Sequence, residues 1–313
     1  MRLLQRAAPD GSASTTTHEF CLTEFAASRI PLVYAVLSHR WEEDEVTFKD
    51  IENGTAHTKA GYRKLVFCAE QAARDGISYF WCDTCCINKD SSAELQEAIN
   101  SMYKWYHKST KCYVYMQDVS VMDYNNAQLT EKNWHSSFRS STWFTRGWTL
   151  QELIAPTKVE FFSVEGRWLG DKSSLEQQIQ NTTGLPVQAL RGNLSGFDVQ
   201  ERLSWAAKRT TTVEEDAAYC LLGIVDVHMP LIYAEGAQKA MARLQRELQL
   251  SSIRIPEVQS PVAGAAVDAS RNSDPSRQRT PAREVMEWEG RSNSMIMKVL
   301  LTKARSLAIA VIS

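Results

Sequence analysis

Four short apolar runs, at residues 33–37, 78–82, 112–116 and 158–162, constrain this chain more than any other feature. They are rich in β-branched and aromatic residues and have the length of a strand. Each fits a buried strand. The segments between them carry helical spacing instead. Residues 62–74 place Leu65, Cys68, Ala69 and Ala72 on one face, with Gly76 as the stop. Ser91-x-x-Glu94 has the pattern of a capping box, and Leu95, Ile99, Met102 and Tyr106 follow at three- and four-residue steps. A third helix is expected to begin near Arg146-Gly147-Trp148 and to end before Pro156. Strand and helix in alternation predict an α/β fold, a mainly parallel sheet with covering helices, over residues 1–165.

Residues 166–250 read as a helical region, with apolar spacing over 175–179, 199–207, 216–222 and 237–248. From 251 to 313 the pattern changes. Ser, Pro, Arg, Asp and Asn dominate up to about residue 283, and this last segment is expected to be disordered. No internal repeat, Walker-type phosphate loop or Gly-x-Ser-x-Gly nucleophile elbow is present.

Charge narrows the partners. Lys and Arg total 35 against 37 Asp and Glu, a net charge of -2, which gives no general pull toward nucleic acid or anionic lipid. No run reaches the roughly 18 apolar residues of a membrane span, so no stable membrane insertion is expected. The first ten residues lack the apolar core of a secretory signal, and the seven cysteines then read as reduced thiols of a cytoplasmic protein. Cys82-x-x-Cys85 with Cys86 suggests zinc, but no second cysteine or histidine pair completes four ligands, so no metal is assigned.

In an open parallel sheet, ligands bind beyond the carboxyl ends of the strands. The first run leads to Ser38-His39-Arg40-Trp41 and the acidic residues Glu42 to Glu45. The second leads to Asp83-Thr84-Cys85-Cys86-Ile87-Asn88. The third leads into a loop holding Trp134, His135, Arg139 and Trp143, which delivers the chain to Arg146-Gly147-Trp148-Thr149-Leu150-Gln151-Glu152. These clusters are expected to converge on one edge of the sheet.

Three blocks resemble the signature blocks of the fungal heterokaryon-incompatibility (HET) domain: Tyr34 to Trp41, Trp81 to Lys89 and Phe144 to Leu153. Glu215 to Ile224, followed by Met229 to Gly236, is similar to the distal part of the same group. The blocks run in family order across about four-fifths of the chain. Two departures stand out: the family more often has Gly at Ala234 and an aliphatic residue at Cys82. HET domains are in turn similar to TIR domains, which implies a TIR/flavodoxin-like sheet. Ser38-His39-Arg40-Trp41-Glu42-Glu43-Asp44 looks like the opening TIR motif, and Trp148-Thr149-Leu150-Gln151-Glu152-Leu153 like the later one that carries an essential glutamate.

By that match Glu152 is the candidate catalytic residue for cleaving NAD between nicotinamide and ribose. The nicotinamide of NAD is cationic and departs neutral, so one carboxylate that stabilises an oxocarbenium-like state can suffice. The binding set is then Ser38, Arg40, Trp41, Asp83 and Trp148, with Arg40 gripping a phosphate and a tryptophan stacking on a ring. NAD enters as substrate, and no cofactor is required. Blander readings stay open beside these. A carboxylate in the first turn of a helix is favoured by the helix dipole alone, Arg40 can pair with Glu42, Glu43 or Asp83, Asp83 can cap a loop, and the tryptophans can be packing. Glu42 to Asp44 reads as a solvated loop, and Asp216 and Tyr219 as residues that hold the helical region to the core. The resemblance implies non-self recognition with cell death as output, through self-association and a possible upstream sensor. Its alternative is a non-catalytic signalling module that acts by protein–protein contact.

Overall fold

The computed structural model describes residues 1–6, 20–122 and 133–253. The strands are β1 (Arg2–Arg6), β2 (Phe20–Glu24), β3 (Ala35–His39), β4 (Tyr79–Trp81), β5 (Lys111–Tyr115), β6 (Val159–Phe162) and β7 (Trp168–Asp171). The helices are α1 (Phe48–Glu52), α2 (Tyr62–Arg74), α3 (Ser92–Lys108), α4 (His135–Ser140), α5 (Thr149–Ile154), α6 (Glu176–Thr183), α7 (Val187–Leu190), α8 (Val199–Ser204), α9 (Asp216–Tyr219) and α10 (Ala237–Ile253).

The seven strands form one sheet in the order β2-β1-β4-β3-β5-β6-β7. The central pairs β4–β3, β3–β5 and β5–β6 are parallel. The edge pairs β2–β1, β1–β4 and β6–β7 are antiparallel. The four central strands are the four runs expected from sequence. Their order is the doubly wound, flavodoxin-like one, with its switch point between β3 and β5, where this topology places ligand sites. All five residues of β3 are buried, as are four of the five in β5, which fits strands covered on both faces.

α2 and α3 sit where their caps and periodicity place them. The Ser91 hydroxyl accepts from the Glu94 amide at 3.3 Å and starts α3. The strand boundary at β3 differs in a way that matters for the site. Ser38 and His39 are strand residues rather than the loop that follows, and the chain leaves the sheet at Arg40.

The divide expected at residue 165 is the turn of a hairpin. β6 and β7 pair on either side of it, and Met1 to Leu248 form one compact unit. Residues 1–165 and 166–248 are therefore parts of a single body with a continuous core, in which Leu3, Val36, Phe161, Ile179, Tyr219 and Leu244 are all buried. The disorder expected over 251–313 falls almost wholly on residues 254–313, outside the described ones.

The acidic loop after β3 is only partly solvated: Glu43 is exposed and Asp44 about half exposed, while Glu42 and Glu45 turn toward a buried lysine. Lys64 on α2 is 1% exposed and donates to the Arg40 carbonyl at 3.0 Å. It also pairs with Glu42 at 2.9 Å and with Glu45. Asp44 accepts from Lys59 at 3.0 Å and from the Ala60 amide at 2.8 Å. A buried lysine needs such compensation, and it fixes the backbone where the chain leaves β3.

Candidate functional site

Glu152 lies in the first turn of α5, and the helix start is set from outside. The Thr149 hydroxyl donates to the Trp143 carbonyl at 2.6 Å. Gly147 donates its amide to the Thr210 carbonyl at 2.9 Å, and Thr210 donates back to the Thr145 carbonyl at 2.7 Å. A Cβ on Gly147 would come within 2.5 Å of Thr211, so only glycine allows this approach. The result aims Glu152 across the end of β3.

Ser38 donates its hydroxyl to Glu152 Oε2 at 2.5 Å, and Trp143 donates its indole N–H to Ser38 Oγ at 2.9 Å. Glu152 is 5% exposed. Burial raises its carboxyl to about 8, helped by the charge of Asp83 and opposed by the Ser38 hydrogen bond and by Arg209 and Arg146. Burial therefore favours the protonated form of Glu152 at neutral pH.

A cleft of about 920 Å³ opens at the carboxyl ends of β3, β4 and β5, and Arg40, Trp41, Asp83, Trp148 and Glu152 all face it. Its size fits a ligand of dinucleotide scale. Ser38 does not line it but sits directly behind Glu152. Arg40 is exposed and makes no ion pair with Glu42, Glu43 or Asp83 among the described residues. Asp83 neither caps its loop nor orients Arg40; it accepts the Trp41 indole N–H at 2.9 Å. Trp41 is half exposed, and the Lys89 ammonium lies 3.6 Å from its ring centre.

Three residues at the site were given no binding role by the sequence reading. Arg146 lies near enough to Arg40 that burial and the second cation together lower its pKa, and it donates to Thr212 Oγ1 at 2.8 Å. Asp216 does more than hold helices: it accepts the Trp148 indole at 2.9 Å and the Tyr233 hydroxyl at 3.2 Å, and it faces the cleft. Tyr233 follows from the distal block. No local pattern marks these residues, because each acts across 60 or more positions of sequence or beside such a contact. Trp134, His135 and Arg139 do not join the cleft, and His135 instead meets Gln178 at 3.3 Å.

His39, Cys82 and Asp83 bring one donor atom each within 4.8 Å of one another. A closed zinc site takes four ligands at much tighter spacing, and one Asp83 oxygen is already held by Trp41. Cys82, Cys85 and Cys112 are fully buried thiols whose ionisation burial pushes well up, which leaves them as packing groups.

A doubly wound α/β unit with a buried carboxyl at the switch-point edge, walled by arginines and tryptophans, is the class this geometry defines. Residues 34–152 match the family model described as Heterokaryon incompatibility protein (HET), and the chain is a HET-domain protein. The chain is 52% identical over 251 residues to the vegetative incompatibility protein HET-E-1 of Podospora anserina. That stretch is 79% of this chain and 18% of the relative, so the relative extends far beyond the shared part. No solved structure matches the chain.

Proposed function

We propose that this chain serves vegetative incompatibility, and that it does so by cleaving NAD at the nicotinamide–ribose bond, with cell death as the outcome. The observation that carries the reading is the meeting of Glu152, Arg40 and Trp148 at one open cleft. A scaffold whose glutamate merely starts a helix has no need of a 920 Å³ cleft beside that carboxyl.

The residues divide the work as follows. Arg40 and Arg146 face the diphosphate, whose two negative charges relieve the repulsion between them. Trp148, held by Asp216, and Trp41, held by Asp83, offer ring faces to the planar groups. Glu152 meets the ribose. The cationic nicotinamide ring favours its ionised form, so binding draws the proton off a carboxyl whose protonated form burial favours. The carboxylate then stabilises positive charge on the ribose as its bond to nicotinamide breaks and neutral nicotinamide leaves, and water adds to that carbon with release of a proton. Activity is accordingly expected to rise with pH toward about 8.

On this reading the chain acts in the cytoplasm, is switched on by self-association or an upstream sensor, and needs neither metal nor resident cofactor. The test is nicotinamide release from NAD by the oligomerised protein, wild type beside Glu152→Ala. Release by the wild type and loss of it in the variant is the expected result. Equal release by both removes Glu152 from the chemistry. Cell death without NAD loss establishes the non-catalytic module instead.

A further inference from the structure

The start of α5 is held by a segment more than fifty residues downstream. Between Arg209 and Asp216 the chain lies as a strap across Thr145 to Thr149. Two backbone bonds join Gly147 and Thr145 to Thr210. Arg146 reaches Thr212, and Trp148 reaches Asp216. Arg209 makes the innermost attachment. Its Nη1 donates to the Arg146 carbonyl and to Thr149 Oγ1, both at 2.9 Å.

The other half of that guanidinium is an anomaly. Arg209 Nη2 is buried and has no hydrogen-bond partner among the described residues. No carboxylate lies within ion-pair distance of it among them. A buried, permanently charged group with a free donor costs stability unless the site gives it something to do. The carboxyl whose charge it senses across the start of α5 is Glu152. The structure thus holds a guanidinium with one buried, unpartnered nitrogen near a buried acid whose ionisation burial opposes.

We propose that Arg209 is a positioning residue for Glu152: it ties the strap to the first turn of α5 and supplies the counter-charge that the Glu152 carboxylate meets when it ionises. Ionisation then needs no large movement. The proton leaves Glu152 for solvent through the cleft, and the waiting guanidinium offsets the charge left behind. The proposal rests on Glu152 as the reacting group. It adds that the site is incomplete without residues 209–216, which lie beyond the segment matched by the family model.

Several other groups face Glu152: Asp83 after β4, Tyr106 on α3, Cys112 on β5, and Arg146 before α5. Asp83 opposes ionisation and Arg146 favours it. The experiment must therefore change Arg209 alone and read Glu152 directly. The readout is the ionisation midpoint of Glu152 in the full chain without substrate, by NMR with ¹³C-labelled glutamate side chains. The signal is assigned by its disappearance in Glu152→Gln.

Arg209→Gln and Arg209→Met are expected to raise the midpoint by about half a pH unit or more, the scale set by an opposite charge just beyond direct contact. Arg209→Lys keeps the charge and should stay within about 0.3 unit of the parent. An unchanged midpoint in a folded neutral variant overturns the proposal. If neither neutral variant folds, Arg209→Lys decides alone, and a rise of about one unit there overturns it. No step depends on NAD, so failure of the proposed reaction and failure of this inference are separately visible. If the protein cleaves NAD, the acid limb of kcat/KM shifts with the midpoint, which a purely structural role would not produce.

Discussion

Glu152→Gln should change how stability depends on pH more than it changes stability itself. Gln keeps the shape of a protonated Glu and still accepts from the Ser38 hydroxyl, so the fold is preserved. The folded carboxyl titrates at about 8 against an ordinary 4.5. Between those values the folded chain holds a proton that the unfolded chain has released. Stability therefore falls as pH rises through that window, by about 1.4 kcal/mol per pH unit from this group. From pH 5 to pH 7 the wild type loses about 3 kcal/mol relative to Glu152→Gln. For a unit of this size that widens the gap in Tm by about 5–10 °C in favour of the variant. Other buried groups titrate alike in both chains and cancel in the difference. The assay is thermal unfolding of both proteins at pH 5, 6, 7 and 8 in one buffer series. A gap that stays constant from pH 5 to pH 7 would refute the reasoning, because it would mean that Glu152 ionises in the folded chain as it does in the unfolded one.

Two further outcomes follow from the geometry. Ala234 has a φ of +67, in the left-handed region, so Ala234→Gly should raise stability by about 1 kcal/mol in denaturant unfolding, and a loss would contradict the strain. Lys64→Met should cost about 3 kcal/mol by the same measurement, since it removes the cation that pairs with the largely covered Glu45 and the donor to the Arg40 carbonyl.

The centre of the fold was legible in the sequence and its edges were not. Residues 112–116 and 158–162 are continuous apolar runs, and α3 carries both a cap and a face. β1 reads Arg-Leu-Leu-Gln-Arg, with neither β-branched residues nor alternation, and becomes a strand only because β2 and β4 flank it. β7 contains Gly170 at φ +150 and ends in Asp171, so no strand pattern marked it and it fell within the region read as helical. The same divide runs through the site. Glu152, Arg40 and Trp148 stand in blocks that a resemblance can pick out. Arg209 and Asp216 act at positions about sixty residues away from the groups they hold, and sequence spacing carries no signal for that. Ala234 is the instructive case: its departure from the more usual glycine was visible in sequence, and the positive φ supplies the reason.

The strap also bears on the order of synthesis. A chain emerging from the ribosome exposes Glu152 long before Arg209, Asp216 and Tyr233 exist. Until they arrive, the strap's hold on the start of α5 and one wall of the cleft are missing. An unfinished copy therefore lacks part of the site, and under the proposed function it is expected to be inactive.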